Sequence, residues 1–229
     1  MVKTMKSILL MIVVLLAPLS SAVSQTAAEW RDSLVTLNKL IDRYPRSVDL
    51  RLRKAAVNIE LNQWEYAIEE YGHVLSLEPD NLSAHYFRAY ANIHRRQYAL
   101  AKSDYEAILQ LVPRHLEARL GLARVNELLG RKSDARDELN LLVEQFPDSA
   151  ICYAARAAFE SQQQQYAVAL YDWDEAIRLA PRNTDFVVTK VSLLLTLNRK
   201  SEAAEELKKA LQRGIPRGVL QEWIAKCRQ

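Results

Sequence analysis

The sequence is poor in glycine, histidine and cysteine, on which many enzyme sites and disulfide-stabilised folds depend. Its 229 residues include five glycines, four histidines and two cysteines. The glycines do not form the closely spaced pattern of a phosphate-binding loop, and the histidines lack the spacing of zinc ligands on a helix. Two cysteines are too few for a disulfide framework. A nucleotide-dependent enzyme, a metalloenzyme and a disulfide-rich domain are therefore not indicated.

The chain also lacks an excess of either charge. Its 31 basic and 28 acidic residues give a formal net charge of +3, and no basic stripe of the kind that binds nucleic acid is present. The motifs G-x-S-x-G, H-E-x-x-H and C-x-x-C are all absent from the sequence. We therefore predict no enzymatic activity, no cofactor, no metal site and no nucleic-acid partner.

The longest apolar run lies near the N-terminus. Lys3 and Lys6 precede an uninterrupted apolar stretch at residues 8–17, and small residues follow in the segment SSAVSQ. This order is typical of a secretory signal peptide, and the run is well short of the ~20 residues that span a bilayer. We predict a cleaved signal peptide at residues 1–24, with cleavage after Ala22 or Ser24, and a periplasmic or secreted mature protein. A retained membrane anchor is the alternative. A lipid anchor is not indicated, because no cysteine follows the run.

What the sequence does contain is a regular internal repeat. Two apolar-periodic segments of helical length lie between successive prolines, with a short polar break between them, which predicts two helices per repeat. The prolines recur every 34 residues, and finally after 35, at Pro45, Pro79, Pro113, Pro147, Pro181 and Pro216. Alanines keep the same period at Ala67, Ala101, Ala135, Ala169 and Ala203.

The connections support this division into helices. The break inside each repeat holds Asn62, Gly130 or Asn198, which tolerate the left-handed conformation that ends a helix, whereas Arg96 and Gln164 do so less readily. The second residue after each proline precedes the next helix and is a favoured N-cap in four of five cases. These residues are Ser47, Asn81, Ser149 and Asn183, with the less favoured His115 in the third case.

The second helix of each repeat carries alanine, then an aromatic residue or leucine four residues later, then proline, as in Ala67, Tyr71 and Pro79. This 34-residue helix–turn–helix unit resembles the tetratricopeptide repeat, although the leading aromatic occurs only as Tyr153 and alanine replaces the glycine that usually follows leucine. The resemblance covers about residues 28–218. It implies an all-α, right-handed helix–turn–helix solenoid of 34-residue repeats that binds another protein.

We expect the mature chain to be a single solenoid with a capping helix at each end, because each repeat of a solenoid contacts only its neighbours. For the same reason Cys152 and Cys227, about two repeats apart, are predicted to be free thiols. The predicted units are an N-terminal capping helix at 27–44, repeats at 48–81, 82–115, 116–149, 150–183 and 184–216, and a C-terminal capping helix at 217–229.

Two positions of the repeat carry recurring charges. Position 7, counted from Val48, is basic in four of five repeats, and position 23 is acidic in all five. We predict an ion pair between the two helices of each such repeat, which asparagine at position 11 joins as a third member. A catalytic use of Glu160 and Asp172 is the alternative, but repetition favours a structural role. The predicted pairs are Lys54–Glu70, Arg88–Asp104, Arg156–Asp172 and Lys190–Glu206, and the asparagines are Asn58, Asn92 and Asn126.

The resemblance also implies a binding surface. In tetratricopeptide-repeat proteins the first helices line a concave groove through positions 2, 5, 9, 12 and 13, which we call the groove face. Tyr86, Tyr90 and Arg124 are its most contact-ready residues, because tyrosine and arginine dominate binding hot spots; packing of the tyrosines against the next helix is the alternative. The candidate partner-binding residues are Leu52, Ala56, Tyr86, Tyr90, His94, Leu120, Arg124 and Glu127.

These features predict a protein-interaction scaffold or assembly factor of the bacterial cell envelope, which binds a peptide or helix of another protein. The alternative is an envelope protein that binds carbohydrate or another small ligand and uses Tyr86 and Tyr90 as stacking platforms. We expect no stable membrane insertion after the signal is removed.

Overall fold

The computed structural model describes residues 26–227, which form twelve α-helices and no strand. The predicted signal peptide lies outside the described residues, as do the last two residues of the C-terminal cap. The helices are α1 Ala27–Arg43, α2 Val48–Glu60, α3 Trp64–Leu77, α4 Leu82–His94, α5 Tyr98–Leu111, α6 Leu116–Leu128, α7 Lys132–Gln145, α8 Ala150–Gln162, α9 Tyr166–Leu179, α10 Thr184–Thr196, α11 Lys200–Gln212 and α12 Arg217–Lys226.

Each helix packs against the next helix in the chain. Helices α2, α4, α6, α8 and α10 are the first, or A, helices of the five repeats, and α3, α5, α7, α9 and α11 are the second, or B, helices. Helix α1 packs on α2, whereas α12 packs on both α10 and α11. The predicted all-α helix–turn–helix solenoid is confirmed.

Side chains cap most of the A helices. Ser47, Asn81 and Asn183 each accept a hydrogen bond from a backbone amide of the first turn. The other two A helices differ from each other, and only the prediction for Ser149 was wrong. His115 does cap α6, because its Nδ1 accepts from the amide of Ala118 at 3.2 Å. Ser149 makes no side-chain capping bond to α8.

The turn inside each repeat has the same backbone geometry in all five copies. Asn62, Arg96, Gly130, Gln164 and Asn198 all have positive φ angles, between 57° and 74°. The following amide donates to a carbonyl five residues earlier at 2.8–2.9 Å, which closes a Schellman motif. Arg96 and Gln164 therefore adopt the left-handed conformation despite their side chains, at a cost that glycine and asparagine largely avoid.

Recurring small residues allow the helices to approach closely. The alanines at position 20, from Ala67 to Ala203, are fully buried. In the third repeat Gly121 of α6 is needed for a different reason, because a Cβ there would lie only 2.4 Å from Cζ of Tyr105 on α5. The ring of Tyr105 is itself fully buried, so Gly121 provides the space that it occupies.

The two end helices close the core. Helix α1 begins with a capping box, in which Thr26 and Glu29 satisfy each other's backbone amides, and it buries Leu37 and Ile41. At the other end, Leu220 of α12 is fully buried, and Trp223 packs against the same core cluster. Cys152 is buried in α8, whereas Cys227 follows α12, and both are free thiols.

Candidate functional site

The candidate partner-binding residues lie on three consecutive A helices. Leu52 and Ala56 are half-buried on α2, and Leu120 is half-buried on α6. Arg124 and Glu127, also on α6, form an ion pair at 2.6 Å, in which 42% of the Arg124 side chain remains exposed. The structure thus places these residues on the A-helix layer, where the repeat pattern put them; their role in binding stays a prediction.

Tyr90 is enclosed by neighbouring rings. Only 8% of the residue is exposed, and it belongs to the core cluster of the first two repeats. Its ring meets Trp64 edge-on at 6.0 Å and His94 edge-on at 4.7 Å, while Trp64 and His94 stack in parallel at 4.0 Å. The imidazole of His94 is therefore part of an aromatic cluster rather than an isolated groove residue.

Tyr86 is half-buried one turn before Tyr90. Its ring meets Phe87 edge-on at 5.3 Å and Tyr105 edge-on at 5.8 Å. Because neighbouring rings enclose Tyr86 and Tyr90, the pair offers little free ring face for stacking on a sugar. The packing interpretation of the tyrosine rings is the one that the contacts favour.

The predicted ion pairs between the A and B helices are confirmed. Arg156 donates two hydrogen bonds of 2.8 Å to Asp172, a carboxylate with no exposed surface. The other three pairs join Lys54 to Glu70 at 2.7 Å, Arg88 to Asp104 at 2.6 Å and Lys190 to Glu206 at 2.7 Å. These contacts bury one carboxylate per repeat and satisfy it, as a buried charge requires.

Position 4 supplies a second donor that sequence reasoning missed. Arg119 donates to Glu138 at 2.6 Å in the third repeat, where Leu122 occupies position 7. Arg51 and His85 hold the equivalent place in the first two repeats and contact Glu70 and Asp104. The signal was present in the sequence, since a basic residue at position 4 compensates for the leucine at position 7.

The same three side chains also reach the turn that enters their repeat. Nη2 of Arg51 donates to the carbonyl of Pro45 at 2.9 Å, and Nη2 of Arg119 donates to that of Pro113 at 2.7 Å. Nε2 of His85 lies 2.9 Å from the carbonyl of Pro79. Each residue at position 4 therefore ties the inter-repeat connection to the acid on the B helix.

The prediction that asparagine joins these ion pairs was wrong. Nδ2 of Asn58 and Oδ1 of Asn92 and Asn126 are buried without a hydrogen-bond partner among the described residues. In the fourth repeat position 11 faces the preceding repeat, because Glu160 binds Arg136 of α7 through bonds of 2.7 and 3.1 Å. Position 11 and position 23 therefore serve different helix contacts.

The two carboxylates considered for catalysis are both engaged. Arg136 binds Glu160, and Arg156 binds Asp172, each through two hydrogen bonds. A general base needs a lone pair directed at a substrate, whereas these oxygens accept from guanidinium groups inside the helix packing. The arrangement supports a structural role for both acids.

The Lys190–Glu206 pair shows how burial and ion pairing act in opposite directions on the pKa values of these groups. Burial alone would raise the pKa of Glu206, but hydrogen bonds from Arg213 and Lys190 outweigh it and leave the pKa below its ordinary value. Burial likewise opposes the charge of Lys190, yet its bonds to Asp174 and Glu206 raise its pKa. Both groups are therefore held in their charged forms in the folded protein.

Residues 26–227 show neither the side-chain grouping of a metal site nor a helix suited to a membrane. No three His, Cys, Asp or Glu side chains in this range come together as a metal site would require. None of the helices in the same range has the length and hydropathy needed to cross a membrane.

Comparisons with known proteins agree with the fold. A family model described as tetratricopeptide repeat matches residues 92–159. A tetratricopeptide repeat protein from Parabacteroides merdae is 22% identical, with a TM-score of 0.65 over 88% of this chain and 79% of that one. A thermophilic member from Thermus thermophilus is 20% identical, with a TM-score of 0.60 over 73% of this chain and 92% of that one.

YrrB, described as such a protein with an unusual peptide-binding site, is 17% identical, with a TM-score of 0.55 over 81% of this chain and 96% of that one. No curated protein matches the sequence. The repeat sequence, the family match over residues 92–159 and the shared fold together support the assignment of this chain to the tetratricopeptide-repeat proteins.

Proposed function

We propose that the chain is an exported scaffold of the bacterial cell envelope that binds a segment of another protein along its groove face. The repeat fold supports a protein-interaction scaffold in general. The envelope location is supported by the N-terminal sequence, with its two lysines, short apolar run and small residues.

The observation that carries the groove assignment is a difference between the charged residues that join the helices and the side chains at groove positions. The B-helix acids and their basic partners are already engaged in ion pairs between the A and B helices. The A helices, in contrast, keep partly accessible side chains of mixed chemistry at groove positions, including Leu52, Tyr86 and Arg124. A surface of this kind suits an extended peptide or a helix, as peptide recognition generally needs adjacent apolar and polar contacts.

One structural relative adds support by analogy. YrrB is described as having a peptide-binding site, and it shares the fold over most of both chains. Because fold alone does not fix function, the likeness adds to the groove argument and does not replace it. We assign no catalytic role, since the buried carboxylates considered for one are bound by arginine.

Affinity capture from the envelope fraction tests the groove. Ala56→Arg combined with Arg124→Glu changes position 9 on two A helices, and it should abolish recovery of a protein that the wild type captures. The matched control is Ala167→Arg with Arg178→Glu, which makes the same two changes on the exposed side of α9. Equal recovery with both variants would contradict binding through the groove face.

A reporter fusion tests export separately. Residues 1–30 joined to an alkaline phosphatase that is active only outside the cytoplasm should give active enzyme. Replacing two apolar residues of the 8–17 run by arginine should abolish the activity, because the signal requires an uninterrupted apolar stretch. Inactive wild-type fusions would remove the envelope location and leave the scaffold role in place.

A further inference from the structure

The ring of His85, at position 4 of the second repeat, lies between two hydrogen-bond acceptors. Its Nδ1 lies 2.8 Å from Oδ1 of Asp104 on α5, and its Nε2 lies 2.9 Å from the carbonyl oxygen of Pro79 in the connection between α3 and α4. Only 12% of the His85 side chain is exposed. Both ring nitrogens are therefore engaged with atoms of the protein.

Neither of these two acceptors can donate a hydrogen bond in return. A carbonyl oxygen only accepts, and so does an ionised carboxylate. Arg88 donates to both oxygens of Asp104, at 3.0 and 2.6 Å, which is the contact that an ionised carboxylate makes. Each nitrogen of His85 must therefore carry a proton to make its own contact. The ring is a charged imidazolium in this arrangement.

A neutral ring keeps one proton and can make only one of the two contacts. The bond to Asp104 is the stronger, because a charged acceptor roughly doubles the strength of a hydrogen bond. A neutral His85 is therefore expected to keep its proton on Nδ1. Its Nε2 would then face the carbonyl oxygen of Pro79 as a second acceptor, and two acceptors at that distance repel each other. The contact with the connection is the one that is lost.

Arginine holds the same position in the repeats on either side. Nη2 of Arg51 donates to the carbonyl of Pro45 at 2.9 Å, and Nη2 of Arg119 donates to that of Pro113 at 2.7 Å. Because arginine stays charged throughout the pH range of a folded protein, these two contacts do not depend on pH. Among the three equivalent contacts, the one made by His85 can be released by the loss of a proton.

Asp104 and Arg88 are the charged groups beside His85, the first by direct contact and the second through the shared carboxylate. Asp80 in the connection is exposed, and the tyrosines of the neighbouring helices stay neutral where histidine titrates. The other charged side chains of α3, α5 and the connection have contacts of their own. These contacts are Glu65 with Arg95, Glu69 with His73, Glu70 with Arg51 and Lys54, Glu78 with Asn81, and Lys102 with Glu106.

We propose that His85 is a proton-dependent tie at the entrance to the second repeat: the charged ring joins Asp104 to Pro79, and the neutral ring keeps Asp104 but releases Pro79. Histidine ordinarily changes charge between about pH 5 and 8. The stability that the tie adds is present while His85 is charged and is lost as the pH rises. The inference does not depend on the proposed function, because it concerns a joint between repeats and not the groove.

Hydrogen exchange of one backbone amide in each connection tests the proposal. The amide of Asn81 donates to the carbonyl of Glu78 at 3.1 Å, and the amide of Ser47 makes the equivalent bond to Tyr44 at 3.0 Å. From about pH 5 to about pH 8, the protection of Asn81 relative to that of Ser47 should fall about three- to tenfold, which corresponds to the loss of one hydrogen bond. A ratio that is the same at both pH values would overturn the proposal.

His85→Arg is the matched variant, because it copies Arg51 and Arg119 in the neighbouring repeats. It should keep the same ratio at both pH values. The other three histidines are unchanged in this variant, so their titration contributes equally to both proteins. A fall as large as that of the wild type would assign the pH dependence to another group and overturn the proposal.

Nitrogen NMR of the His85 ring in the wild-type protein gives a second readout that needs no substitution. The charged ring should show protons on both nitrogens. After it loses one proton, the remaining proton should lie on Nδ1, whereas free histidine favours Nε2. A neutral ring with its proton on Nε2 would mean that the bond to Asp104 is the one released, and it would overturn the proposal.

Discussion

Replacing Gly121 by alanine tests the closest helix contact in the core. The added Cβ would lie 2.4 Å from Cζ and 2.6 Å from two further carbons of the Tyr105 ring, whereas ordinary contacts begin at 3.4 Å. The ring has no exposed surface and is packed on all sides. Either the ring or helix α6 must therefore move by about 1 Å, and close-packed interiors resist such shifts.

Two effects of opposite sign set the size of the change. Overpacking of a buried site costs about 1–3 kcal/mol. Alanine is better than glycine inside a helix by about 1 kcal/mol. We expect Gly121→Ala to lower the free energy of unfolding by up to about 2 kcal/mol, because a Cβ this close to a buried ring puts the steric cost near the upper end of its range.

Urea unfolding followed by circular dichroism measures this change. Gly72→Ala is the matched control, because Gly72 is also helical but a Cβ there would meet nothing within 4 Å. That variant should gain about 0.5–1 kcal/mol from helix preference alone. Tyr105→Leu added to Gly121→Ala recreates the Leu139–Ala155 pairing of the next repeat, so it should recover part of the loss.

The reasoning fails if Gly121→Ala is as stable as Gly72→Ala. It also fails if Tyr105→Leu adds its own loss to that of Gly121→Ala without any recovery, because contacting residues should couple in a double-mutant cycle.

Three further changes test other parts of the molecule. Arg96→Gly should raise the free energy of unfolding by about 0.5–1 kcal/mol in thermal denaturation, because glycine adopts the positive φ without strain. Arg156→Leu should lower it by about 3 kcal/mol in urea unfolding, since Asp172 is buried and loses its donor. Adding Tyr153→Arg, which copies the third repeat, should restore much of that loss. Glu206→Gln should lower stability at neutral pH and flatten its decline between about pH 5 and 3, because a lowered folded-state pKa stabilises above the unfolded value and is lost as pH falls through the folded one.

Each of these three predictions would be contradicted by a specific result. A less stable Arg96→Gly protein would mean that the side chain contributes more than the backbone strain costs. No recovery on adding Tyr153→Arg would show that position 4 cannot replace position 7 in the fourth repeat. An unchanged acid profile in Glu206→Gln would show that this carboxylate titrates alike in the folded and unfolded chains.

The periodic features of the fold were predictable because each is repeated in the sequence. The prolines, alanines and turn residues mark helix ends at a fixed spacing, and position 7 faces position 23 wherever both are charged. Position 4 was harder to recognise, because Arg51, His85 and Arg119 are followed by Tyr153 and Val187 and so do not form an unbroken series. Its role depends on how far a side chain reaches across the helix pair.

The candidate site was less accessible to sequence reasoning than the fold. The groove positions follow from the repeat, but the enclosure of Tyr90 by Trp64 and His94 depends on side-chain orientation. The contact of His115 with both Glu117 and the amide of Ala118 depends on side-chain orientation in the same way. Neither property repeats with the period of 34 residues, so no internal comparison could reveal it.

The side-chain ties to the proline carbonyls have a mechanical consequence. Arg51, His85 and Arg119 brace the entrances to the first three repeats. The equivalent residues of the last two repeats do not: Val187 has no side-chain donor, and Tyr153 makes no such bond within residues 26–227. A brace between a connection and two helices resists changes in the angle between adjacent repeats. The first three repeats are therefore held at their entrances by a tie to the backbone. The joints into the last two repeats are held by side-chain pairs instead, Arg136 with Glu160 and Lys190 with Asp174, so resistance to bending there depends on the charges of both partners.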